Sequence, residues 1–143
     1  MGRFFAAPCG FHLTKVMDIK TCCDVNYAIV DGGLNMLKYD GQIQGMQIPR
    51  IFHIGAEAEA DPKKWTLCGS LCTTADVLAR NAEFSGLKIG DVLVFGRTGA
   101  YSAMEGMAVF LSREMPVIAL YSKETGLRIV RNRIDTDVFN TPV

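Results

Sequence analysis

The side chains with the widest chemical scope in this sequence are five cysteines and two histidines. Cys22 and Cys23 are adjacent, Cys68 and Cys72 lie four apart, and Cys9 stands near the start. Such a set could cross-link as disulfides or ligate a metal. An odd count without a regular spacing does not describe a disulfide framework, and it fits thiols kept reduced in a cytoplasm. Zinc ligation needs paired ligands, and neither His12 nor His53 lies at finger-like spacing from a Cys-x-x-Cys pair, so no metal site is expected. Taken singly, Cys72 reads as a buried small hydrophobe, Tyr101 as a strand tyrosine with its tip in water, and Arg3 as a fraying terminal residue.

The elements that must position these residues are mostly strands. From Phe11 to Lys20 the apolar Phe11, Leu13, Met17 and Ile19 alternate with the polar His12, Thr14, Asp18 and Lys20. Period-two alternation predicts a strand with the apolar side on a core. Tyr27–Val30 is a continuous apolar run ended by Asp31-Gly32-Gly33, the pattern of a strand buried on both faces. Leu34–Gln47 reads as a long loop with one helical turn at most. Short strands are expected at Arg50–Ile54 and Trp65–Leu67, with an exposed loop over Gly55–Lys64 between them. One short helix is expected at Thr74–Asn81, N-capped by Thr73 or Thr74, with Asp76 as a favourable charge in its first turn. Further strands are expected at Val92–Phe95, Met104–Leu111, Val117–Tyr121 and Leu127–Val130, the last two joined by a hairpin turn at Lys123–Gly126. Many short strands with glycine turns predict an all-β sandwich or Greek-key barrel.

The chain has 143 residues, with 15 basic and 15 acidic side chains. That is one domain, able to bury roughly 70% of the surface its unfolded chain exposes. The balanced charge gives no basic excess to suggest nucleic acid or an anionic membrane as the main partner. No apolar run is long enough for a transmembrane helix, and the start lacks the pattern of a signal peptide. A soluble cytoplasmic β domain is as far as composition and periodicity lead.

Three segments in order add a resemblance. They are Gly2-Arg3-Phe4-Phe5-Ala6-Ala7-Pro8-Cys9-Gly10; Ile29-Val30-Asp31-Gly32-Gly33-Leu34-Asn35; and Gly69-Ser70-Leu71-Cys72-Thr73-Thr74-Ala75-Asp76 with Gly90-Asp91-Val92-Leu93-Val94-Phe95-Gly96-Arg97-Thr98-Gly99-Ala100-Tyr101. Together they resemble the C-terminal part of the fold type III, pyridoxal-phosphate-dependent decarboxylases of diaminopimelate, ornithine and arginine. The resemblance implies that residues 1–143 are the C-terminal β domain of such an enzyme. It further implies that the N-terminal (β/α)8 barrel, with its cofactor-holding lysine and glycine-rich phosphate loop, lies outside this chain. Gly2-Arg3 then matches the end of the family's Glu-Pro-Gly-Arg motif.

What the resemblance implies for single residues is specific. Tyr101 would donate its hydroxyl to the cofactor phosphate, and Arg3 would bind the same phosphate through its planar fork, with Gly2 admitting close backbone approach. Cys72 would reach the partner subunit's site and protonate the substrate carbon. Asp76 would touch the partner subunit, a reading held equal to that of a helix-start charge. Thr73 occupies the substrate-binding position where the family usually has an acidic residue for a distal amine. Diaminopimelate enzymes also tend to carry Arg-Pro where this chain has Tyr39-Asp40, with Lys38 or Arg50 as conceivable substitutes. Both departures weaken diaminopimelate as the substrate. The implied whole is a homodimeric amino acid decarboxylase, a carbon–carbon lyase. The isolated chain is expected to be inactive, and Arg3 to be disordered without the barrel. The alternative is a non-catalytic regulatory module derived from the same family.

Overall fold

The computed structural model describes residues 2–38, 50–56 and 60–142. A single short α-helix, α1 (Gly2–Ala6), and a 3-10 turn (Ala7–Cys9) lead into the strands. These are β1 (Phe11–Cys22), β2 (Val25–Val30), β3 (Ile51–Ile54), β4 (Pro62–Cys68), β5 (Val77–Ser85), β6 (Val92–Gly96), β7 (Ile118–Ser122) and β8 (Gly126–Arg131). Six of them form one sheet in the order β3-β6-β1-β2-β4-β5, and β7 and β8 pair separately as a hairpin. The architecture is all-β, as expected. Among the described residues, no helix is long and apolar enough to cross a membrane.

The long strand β1 organises the sheet. Its first half, Phe11–Lys15, pairs with β6, and its second half, Val16–Cys22, pairs with β2 across an irregularity at Val16–Asp18. Such irregularities bend a strand and sharpen its twist, which curls the sheet around its core. That core holds Val16, Val30, Leu67, Leu78, Leu93 and Phe95, all fully buried. The β2–β4 pairing is parallel; all other pairings within the sheet are antiparallel.

Three expectations need correction. The alternation in β1 is real, but its outer half faces the opposite way. Phe11, Leu13 and Met17 are 59%, 62% and 52% exposed, while Thr14 and Val16 are buried. Thr14 tolerates burial because its hydroxyl donates to Asp31 Oδ1 at 2.6 Å and accepts the Gly32 N–H at 3.1 Å. Opposite partners in an antiparallel ladder share a face, so Leu13, Val94 and Phe52 form one outward row and Thr14, Leu93 and His53 one inward row.

The helix expected at Thr74–Asn81 is absent, and its second half is strand β5. Four residues of β5, Ala79–Ala82, lie opposite three of β4, Trp65–Leu67, and Asn81 takes a φ of 57° within that bulge. The extra residue shifts the strand's parity. Ala79 and Ala82 therefore share a face three apart, and with the buried Leu78 they mimic the spacing of a helix. The strand expected at Met104–Leu111 is also absent. The chain turns instead, with the Met104 and Glu105 N–H groups both donating to the Tyr101 carbonyl, and Met107 N–H donating to Leu34 O at 2.7 Å.

Elsewhere the expected strands stand within a few residues of their places. Pro62–Lys64 joins β4 rather than the preceding loop, and remains exposed. The one helical turn allowed for Leu34–Gln47 lies at its start, where Leu37 N–H donates to Gly33 O at 2.9 Å. Tyr39-Asp40 and most of the long loop lie outside the described residues.

Candidate functional site

Three of the implied site residues meet near the start of β1. The Ala7–Gly10 segment is fastened to the turn after β6. Thr98 N–H donates to Gly10 O at 3.0 Å and Gly99 N–H to Ala7 O at 3.1 Å. Gly10 and Gly99 press backbone against backbone, and a Cβ on either would overlap the other strand of the contact. This fastening carries α1 onto the loop after Gly99. The Arg3 guanidinium carbon lies 5.1 Å from the centre of the Tyr101 ring, and a Cβ on Gly2 would come within 3.3 Å of the Tyr101 hydroxyl. Arg3 also pairs with Glu105, at 3.2 and 3.4 Å to its two carboxylate oxygens. Arg3 lies within α1, with its side chain between Tyr101 and Glu105. Tyr101 is 54% exposed and holds a φ of 62°. A bulky residue in the left-handed region is an outlier, kept there by the turn bonds to its carbonyl.

Cys72 and Thr73 stand on a second loop, between β4 and β5. Cys72 is exposed. The Thr73 hydroxyl accepts the Ala75 N–H at 3.2 Å, and Thr73 O accepts the Asp76 N–H at 3.2 Å. Asp76 is neither a helix-start charge nor an exposed contact residue. It is 2% exposed, and its oxygens accept Leu34 N–H and Leu71 N–H, each at 2.8 Å. Gly33 and Gly69 lie against that carboxylate, where a Cβ would collide with it.

Leu34 is the link between the two loops. Its N–H is held by Asp76 on the Cys72 side, and its carbonyl accepts Met107 N–H on the Tyr101 side. Gly106 packs directly on that carbonyl. Ser70 adds a second tie: it donates to Asp31 O at 3.2 Å and accepts from Arg113 Nη2 at 2.8 Å. Glu105, Arg113 and the bracing role of Asp76 were not visible in the sequence. The residues that could have pointed to Asp76 are the two glycines, Gly33 and Gly69, that pack against its carboxylate.

The surrounding electrostatics follow burial. Burial lowers the His12 pKa to about 4, opposed only in part by the Asp31 carboxylate. Burial, then the negative charge of Asp76, pushes the Cys68 thiol up. His53 contacts Asp91 at 2.7 Å, both nearly buried. Among the described residues, no group of three or more His, Cys, Asp or Glu is gathered to hold a metal.

Arg3 and Tyr101 are the donor types that suit a phosphate ester, and Gly2 leaves room beside the phenol for one. Glu105 opposes this only as a competitor for the guanidinium.

Comparison with known proteins shows the family of the sheet domain. Residues 4–99 match the C-terminal sheet domain of the pyridoxal-dependent decarboxylases. The match takes in Cys72, Thr73 and Asp76, and leaves out Gly2, Arg3 and Tyr101. A Staphylococcus aureus 2-[(L-alanin-3-ylcarbamoyl)methyl]-2-hydroxybutanedioate decarboxylase is 32% identical over 121 residues, 80% of this chain and 30% of the relative. The diaminopimelate decarboxylase of Methanocaldococcus jannaschii is 27% identical over 134 residues, 92% of this chain and 29% of the relative. A crystal structure of the M. jannaschii enzyme in complex with L-lysine superposes with a TM-score of 0.82 at 25% identity, covering 94% of this chain and 30% of that one. The chain thus spans less than a third of the length of these relatives. It belongs to the pyridoxal-dependent decarboxylase family, as a C-terminal sheet domain.

Proposed function

We propose that the chain completes the active site of a pyridoxal-phosphate-dependent amino acid decarboxylase of the diaminopimelate type. The whole enzyme is a cytoplasmic homodimer in which an N-terminal (β/α)8 barrel holds the rest of the site. The observation that carries this reading is the meeting of Gly2, Arg3 and Tyr101 at one point on the surface. Pyridoxal phosphate, when bound, supplies an electron sink for the carbon that loses carbon dioxide.

The chain's own residues then bind, orient and move a proton. The Tyr101 hydroxyl and Arg3 guanidinium donate to the phosphate, Arg3 exchanging Glu105 for it. Cys72, exposed on its braced loop, donates a proton to the substrate carbon in the partner's site. Thr73 faces the distal end of the substrate. It is neutral, and its hydroxyl already accepts the Ala75 N–H. It cannot pair with a distal ammonium, which favours a substrate other than diaminopimelate.

A chimera joining the barrel of the S. aureus relative to this chain tests the reading. Carbon dioxide release from an amino acid is expected, with loss in Tyr101→Phe and Cys72→Ala. A folded, cofactor-binding chimera in which both variants match the parent would overturn it.

A further inference from the structure

β1 and β2 meet at a two-residue turn, Cys23-Asp24, closed by the Cys22–Val25 pair. Both turn residues have positive φ, 50° and 61°, the hand that matches strand twist in tight hairpins. Neighbouring side chains along a strand normally point to opposite faces. Here the left-handed step at Cys23 brings two successive side chains together. The sulfurs of Cys22 and Cys23 lie 3.7 Å apart, and both residues are exposed. This hairpin tip is at the end of β1 remote from Gly10.

Two reduced thiols so placed can join directly or share a third atom. Direct joining is disfavoured by the backbone. A disulfide prefers Cα atoms about 4.4–6.8 Å apart and sulfurs about 2.05 Å apart, while adjacent Cα atoms across a trans peptide are about 3.8 Å apart. A larger soft atom bonded to both sulfurs needs no such contraction, and thiolate is the ligand such atoms prefer.

We propose that Cys22 and Cys23 form a vicinal-dithiol site that captures a monosubstituted trivalent arsenical across both sulfurs. The arsenic–oxygen bond of the arsenical breaks, and two arsenic–sulfur bonds form. The oxygen leaves as water with the two thiol protons. Arsenic stays trivalent and sulfur is neither oxidised nor reduced, so no further reactant is needed.

The probe is phenylarsine oxide, added to the full chain kept reduced by a phosphine, then challenged with excess 2-mercaptoethanol and read by intact mass. One arsenical, added with loss of one water, is expected to survive the monothiol and to leave with 2,3-dimercaptopropanol. Chelation exceeds single attachment by about 10²–10⁴, so Cys22→Ser or Cys23→Ser is expected to cut the retained label by at least about a hundredfold. A variant combining Cys9→Ser, Cys68→Ser and Cys72→Ser keeps it, with peptide mapping placing the label on the hairpin. Circular dichroism confirms that each variant is folded. No retained label on the parent chain, retention in either hairpin variant, or a label mapped to another cysteine would overturn the proposal.

Discussion

Asp76 holds Leu34 in place across 42 residues of sequence, one carboxylate oxygen on the Leu34 N–H while the other takes Leu71 N–H. The loop bearing Cys72 and the loop that supports Tyr101 are thereby fixed to the same short segment. Charged acceptors on buried N–H groups contribute about 1.5–3 kcal/mol each. Asp76→Ala is expected to lose about 3–5 kcal/mol of stability, read by urea unfolding. Asp76→Asn keeps one acceptor and is expected to lose less. An Ala variant as stable as the parent would show that the brace is not needed.

The thiols should separate by reactivity. The Cys68 thiol is pushed up by burial and by Asp76, whereas Cys72 is exposed on its loop. Limited iodoacetamide treatment at neutral pH is expected to label Cys72 well before Cys68, because the thiolate is the nucleophile. Removing the Asp76 charge is expected to speed labelling of Cys68. Peptide mass mapping over time reads both.

Stability should depend on pH through His12. Its folded pKa of about 4 lies below the ordinary 6.5, so between those values the unfolded chain binds the extra proton. Stability from this source is complete above pH 6.5 and is lost as pH falls toward 4, by up to about 3 kcal/mol. His12→Phe is expected to flatten that part of the profile, measured by urea unfolding across the window. An unchanged slope would assign the dependence to another group.

The bulge in β5 rests on Asn81 at positive φ. Glycine takes that conformation without strain, and a β-branched residue does not. Asn81→Gly is expected to be close to neutral, and Asn81→Val to cost about 1–2 kcal/mol, visible as a lower melting temperature.

The isolated chain should not capture the cofactor covalently. Added pyridoxal phosphate is expected to keep the absorbance spectrum of the free compound, since the proposed function assigns the cofactor-holding lysine to the barrel. A stable shifted band that survives gel filtration would contradict this.

Much of the molecule was readable from residue order, and the failures have physical causes. Alternation in β1 reveals a strand but not which face meets the core. That was decided by partners distant in sequence, such as Asp31, which satisfies Thr14 and lets it go inward. Ala79 and Ala82 share a face at helical spacing because one bulged residue intervenes between strand positions. Gly2, Arg3 and Tyr101 were read through a resemblance, and the structure brings them together. Glu105 and Arg113 could not be found that way, because their partners Arg3 and Ser70 lie 102 and 43 residues away.

The outward row on β1 also offers a handle for protein engineering. Phe11, Leu13 and Met17 project from the same strand whose other side carries Thr14 and Val16. Their replacement by threonine or lysine would leave the interior untouched. Colloidal behaviour and thermodynamic stability could therefore be tuned separately along a single strand of this domain.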